Sequence, residues 1–173
     1  MDKEQLRAMQ EPLKEKYHRD PDAALLTLRA TGRASTDFAF TIDTHEGPLE
    51  AGIHPFAGGD GTLATAEQML LEALVACSGV TLQAVATAFG VHLRDALIVA
   101  EGDIDARGTM ALSKDVPVGF REIRVHFELD ADAPEERLDK IVEVAERYCV
   151  VFQTLRQPTT IRATRTRLDP DRS

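Results

Sequence analysis

The chain has 173 residues, 43% of them hydrophobic, a formal net charge of −9, no tryptophan and only 5% aromatic residues. The acidic balance argues against a nucleic-acid partner, because phosphate binding needs a basic face, and the shortage of aromatics argues against base-stacking platforms. A chain of this size buries about 70% of its unfolded surface, so a core can form without disulfides or structural metal.

The first twenty residues, "MDKEQLRAMQEPLKEKYHRD", read as an exposed helix. Leu6, Met9 and Leu13 give it a thin apolar stripe, and Pro21 stops it. The expected organisation is an N-terminal helical arm over residues 1–20 and a single domain over residues 21–173. The arm is charged throughout and lacks the apolar centre of a signal peptide. The longest apolar stretch, Met69 to Phe89, contains Glu72, Ser78, Thr81, Gln83 and Thr87, which a membrane span tolerates poorly. The expectation is a cytoplasmic protein without a membrane span.

Ala24 to Arg33 and Ser35 to Thr44 read as short strands around a Gly32 turn, and "GPLEAGIHPF" continues the extended pattern. "AGGDGTLAT" reads as a loop; it lacks the spacing and the lysine of a phosphate-binding P-loop. Thr65 then opens a long helix, with Gln68 spaced for a capping box. That helix runs to about Phe89, where Gly90 ends it, a length of roughly 35 Å. It is apolar nearly all round, the mark of a buried helix.

Ala96 to Asp105 and Phe120 to Asp130 read as strands. In the second, Ile123, Val125, Phe127 and Leu129 alternate with Arg124, His126 and Glu128, so one face is buried and one wet. A helix follows, with Pro134 in its first turn and an apolar stripe of Leu138, Ile141, Val142, Ala145, Cys149 and Phe152. "TTIRATRTRL" closes the chain as a strand. The order predicts an α+β fold in which mainly antiparallel sheet packs on two long helices.

The two cysteines, Cys77 and Cys149, each fall on the apolar stripe of a helix. They are too far apart for a CxxC pair. The histidines (His18, His45, His54, His92 and His126) show no HxxxH or HExxH spacing, so no metal site is expected. Free cysteine often does no more than fill a core. A buried apolar thiol has a raised pKa and is inert, so a working thiol here needs a positive neighbour.

"TAEQMLLEALVACSGVTLQAVA" resembles the central helix of the OsmC/Ohr family of peroxide-handling proteins, and "AERYCVVFQTLRQPTTIRATR" resembles its second cysteine helix and closing strand. The resemblance spans about Ala24 to Leu168. It implies an intertwined α+β homodimer that reduces alkyl or lipid hydroperoxides and is reset by an external dithiol, without flavin, haem or metal. It also implies that Cys77 is the peroxidatic thiol, Cys149 the resolving thiol and Glu67 the helix-start glutamate. The family's arginine sits in a Gly-Arg turn, which "ATGR" matches at Arg33, with Arg29 as the alternative. Two departures stand out: Val150 follows Cys149 where the family usually has proline, and the N-terminal helix is extra. Two other functions fit the same residues, a non-enzymatic binder of an apolar small molecule and a Cys–His hydrolase.

Overall fold

In the computed structural model, which describes residues 1–168, the chain opens with helix α1 (Lys3–Arg19). The Asp2 carboxylate accepts the Gln5 N–H at 2.8 Å, and the Gln5 side chain accepts the Asp2 N–H at 3.0 Å, so two otherwise orphaned donors are satisfied reciprocally. Leu6 is half-buried against the body, whereas Met9 and Leu13 remain exposed. A 3-10 turn at Pro21–Ala24 follows.

Strands β1 (Gly32–Ala34), β2 (Phe40–Thr44) and β3 (Gly47–Gly52) form an antiparallel meander, and β4 (Ala64–Thr65) joins β3 in parallel. The strand expected over Ala24 to Arg33 is reduced to its last residues. Leu25, Leu26 and Leu28 are 79%, 73% and 93% exposed, and among the described residues no strand lies beside them to complete a ladder. Gly32 begins β1 instead of turning the chain. The turn lies at residues 35–39, where Asp37 takes φ 54° and the Ala39 N–H donates to the Thr36 carbonyl at 3.1 Å.

Helix α2 (Ala66–Ala88) runs as expected and stops where Gly90 adopts φ 68°, a left-handed conformation that glycine takes without strain. The capping box at its start does not form. Thr65 stands at the cap position, but its side chain makes no capping bond; it is buried and pairs with Gly52 as part of β4. The sheet therefore feeds directly into the helix.

Strands β5 (Leu93–Ile104) and β6 (Phe120–Ala131) make a two-stranded antiparallel ribbon, with the short helix α3 (Ala106–Thr109) in their connection. The predicted alternation in β6 holds: Phe127 and Leu129 pack inward with Ala96 and Ile98, while Arg124, His126 and Glu128 face out. Leu82, Val85 and Ala86 of α2 and Ile141 and Ala145 of α4 (Glu135–Tyr148) form the buried centre.

The last helix departs from expectation. Pro134 caps it, and the helix breaks at Cys149, whose backbone is extended (φ −73°, ψ 110°), before α5 (Val150–Arg156) begins. Two β-branched residues, Val150 and Val151, follow the break, and such residues propagate a helix less well. The closing segment at 159–168 carries no strand, and among the described residues no strand lies beside it.

The α2–α4 seam predicts a specific stability result. Ile141 is fully buried, so Ile141→Ala should lower unfolding stability by about 2–5 kcal/mol in urea titration. Met9→Ala, on the exposed face of α1, should stay within about 0.5 kcal/mol of the parent.

Candidate active site

The seam between α2 and α4 sets the geometry. The Arg137 guanidinium, at the start of α4, donates to the Phe89 carbonyl at the end of α2. At the other end of the seam, Ser78 Oγ lies 3.6 Å from Cys149 Sγ. The two helices therefore run antiparallel. Ile141, Ala145 and Cys149 recur every four residues on one, and Ala86, Leu82, Ser78 and Leu74 on the other. Both series are buried throughout. This is how two cysteines far apart in sequence arrive at one place.

The break at Cys149 supplies polar groups to an otherwise apolar site. The first backbone N–H groups of a helix have no partner within it. The Phe152 N–H donates to Cys149 Sγ at 3.4 Å, so the sulfur itself caps α5. The Val150 and Val151 N–H groups act on the Cys77 sulfur. Across the break, the Gln153 side-chain amide donates to the Glu146 carbonyl at 2.9 Å.

The two thiols are unequal. Partial burial pushes the Cys77 thiol up, but the Val151 N–H, the Cys149 side chain, the Val150 N–H and the Thr81 hydroxyl together outweigh it, holding Cys77 below the ordinary cysteine range. Burial pushes the Cys149 thiol up, the Phe152 N–H and Ser78 oppose it, and the neighbouring Cys77 adds to the rise, so it ends above that range. The thiols are close enough for each to shift the other's ionisation.

The remaining expected residues are placed elsewhere. Arg33 lies exposed on β1 opposite Thr41, Arg29 is exposed in the segment before it, and Glu67 is half-buried in the first turn of α2. Among the described residues, no guanidinium, carboxylate or imidazole is one of the groups acting on either thiol. Within one chain, the backbone N–H groups of Val150 and Val151 are among the groups that lower the Cys77 thiol. Sequence reasoning also missed Ser78, although a serine between Leu74 and Leu82 at four-residue spacing interrupts an apolar stripe and so carried a signal. Among the described residues, no group of three or more His, Cys, Asp and Glu side chains is placed to hold a metal ion.

A cleft of about 550 Å³ opens between α1, α2 and α4, one helical turn from Cys77 at Thr81. Leu6, Ala84, Val85, Phe89 and Val144 make its walls mainly apolar. Its size lies within the usual range for small-molecule sites.

Solved structures share this fold. An OsmC-like protein from Mycoplasma pneumoniae is similar with a TM-score of 0.66 at 19% identity, covering 77% of this chain and 89% of its own. An organic hydroperoxide resistance protein from Elizabethkingia anophelis gives a TM-score of 0.62 at 17% identity, covering 78% and 91%. The organic hydroperoxide resistance protein OhrB of Bacillus subtilis gives 0.54 at 21% identity, covering 77% and 93%. No curated protein matches the chain in sequence. At these identities the structural similarity establishes the fold. The model of the OsmC-like protein family matches residues 59–164, more than half of the chain and the whole of the two-cysteine region, so the chain belongs to the OsmC-like family.

Proposed function

We propose that the protein is a thiol-dependent peroxidase that reduces organic hydroperoxides through Cys77 and Cys149. One observation carries this reading: the only two cysteines of the chain meet in one site with opposite displacements of their ionisation. A peroxidatic thiol must ionise readily, because the thiolate is the nucleophile. Cys77 attacks the outer oxygen of the hydroperoxide, the O–O bond breaks, and the alcohol leaves with a proton. The resulting sulfenic acid condenses with Cys149, releasing water and leaving a disulfide. An external dithiol then returns both sulfurs to thiols. The apolar cleft beside Thr81 favours an alkyl or lipid hydroperoxide, and similarity to proteins named for organic hydroperoxide resistance points the same way.

The working form we propose is a homodimer, with Arg33 and Glu67 of one chain completing the site of the other. Glu67 and Cys77 are ten positions apart on α2, which puts them about 15 Å apart along the axis and roughly 80° out of phase. One chain cannot bring both to the same few ångströms. Val80, on α2, is 74% exposed, and among the described residues the segments at 25–30 and 159–168 join no ladder. Uncovered apolar surface and open strand edges of this kind are what a second copy buries.

Adding an alkyl hydroperoxide to the reduced protein should remove two free thiols per chain. Cys77→Ser should abolish peroxide consumption, and Cys149→Ser should stop after one turnover with a trappable sulfenic acid at Cys77. Multi-turnover activity in Cys77→Ser, or no thiol loss in the parent, overturns the redox pair.

The ionisation order has its own readout. Ultraviolet thiolate absorbance, titrated in Cys149→Ser and Cys77→Ser chains, should rise at lower pH for Cys77 than for Cys149, because Cys77 is displaced downward and Cys149 upward. The reverse order would exchange their roles.

Mixed dimers test the shared site. In a dimer of one Glu67→Ala chain and one Cys77→Ser chain, shared sites leave one site with both defects and one with neither. Activity then exceeds either parent. Sites built from single chains gain nothing on mixing. The same mixture made with Arg33→Ala, against Arg29→Ala, assigns the arginine.

A further inference from the structure

We propose that Ser78 governs the second half of this reaction: its hydroxyl holds the Cys149 sulfur and stabilises it as a thiolate while it attacks oxidised Cys77. The inference rests on the redox-pair reading. Ser78 is 2% exposed, Cys149 is fully buried, and the two side chains lie 3.6 Å apart. Water does not reach the Cys149 sulfur, so protein donors must do what solvent does elsewhere. Two are in contact, the Phe152 N–H at 3.4 Å and the Ser78 hydroxyl.

The hydroxyl suits both protonation states. It accepts from the S–H of the resting thiol and, after rotation, donates to the thiolate. A backbone N–H can do only the second. The step is balanced as follows. Cys149 sulfur attacks the Cys77 sulfenic sulfur, the S–S bond forms, the S–O bond breaks, and the departing hydroxide takes up the proton that Cys149 released, leaving as water. Ser78 ends with its own proton. Within the chain, only Cys77 among the titratable groups of α2, α4 and α5 acts on Cys149, and the Cys77→Ala control below removes it. Helix α2 carries a separate hydroxyl, Thr81, for the Cys77 sulfur. The helix thus supplies one hydroxyl to each thiol.

Single-turnover kinetics of Ser78→Ala test this. Disulfide closure should slow by about tenfold or more relative to sulfenic-acid formation followed in the same sample, as expected for losing a hydrogen bond to a charged group in a dry site. The pH midpoint of closure should move upward, and Ser78→Thr, which keeps the hydroxyl, should restore most of the rate. Loss of the weak S–H partner costs little stability, so the alanine variant should fold. A second measurement does not depend on peroxide chemistry. In a Cys77→Ala chain, the ultraviolet thiolate absorbance of Cys149 should titrate at higher pH when Ser78→Ala is added. If the parent closes its disulfide but Ser78→Ala leaves rate and pH midpoint unchanged, the role of Ser78 is overturned and the redox pair stands. If the parent forms no disulfide, the redox pair fails, and an unshifted thiolate titration then removes Ser78 as well.

Discussion

The antiparallel seam between α2 and α4 is the constraint on which the site depends. Ile141 and Ala145 pack against Leu82, Val85 and Ala86 in a centre that excludes water. Close packing fixes not only that the helices touch but how far one is slid along the other. A shift of one turn, about 5.4 Å, would move Cys149 away from both Cys77 and Ser78. The chemistry at one end of the seam is therefore placed by apolar contacts in its middle.

A second constraint is the break that follows. An unbroken helix would spend the N–H groups of Val150, Val151 and Phe152 on its own carbonyls. Breaking at Cys149 releases them, and all three turn to sulfur. An apolar interior raises a thiol's pKa on its own. Within one chain, the break opposes this without bringing a charged side chain into the seam, where an unpaired charge would be costly. It also makes the sites unequal, because Cys77 is only partly buried and Cys149 is wholly so. That asymmetry suits a pair in which one sulfur meets an external oxidant and the other meets only its partner.

The chain leaves work undone at its edges. The β5–β6 ribbon covers one flank of α2, and Val80 on that helix stays open. The leucines at 25–28 and the segment at 159–168 belong to no helix or ladder among the described residues. Arg162, Arg165 and Arg167 make the second segment basic in a chain of net charge −9.

By itself the sequence determined the buried helix α2, the two-faced strand β6, the α+β order and the presence of both cysteines on apolar stripes. These depend on periodicities of two and of three to four residues, which are local and survive without knowledge of neighbours. The end of α2 was legible for the same reason, since Gly90 carries its own conformational preference. Only the tertiary structure decided the break at Cys149, the missing cap at Thr65, the shortened β1 and the contact between Ser78 and Cys149. The stripe runs straight through Cys149, and nothing local marks that its sulfur finds better use as a cap. Thr65 looks like a helix cap until β3 takes it into a sheet. The leucines at 25–28 read as a strand, yet a strand exists only where another lies beside it. Which side chain meets a sulfur across the seam depends on the slide of one helix along another, a non-local quantity that packing sets.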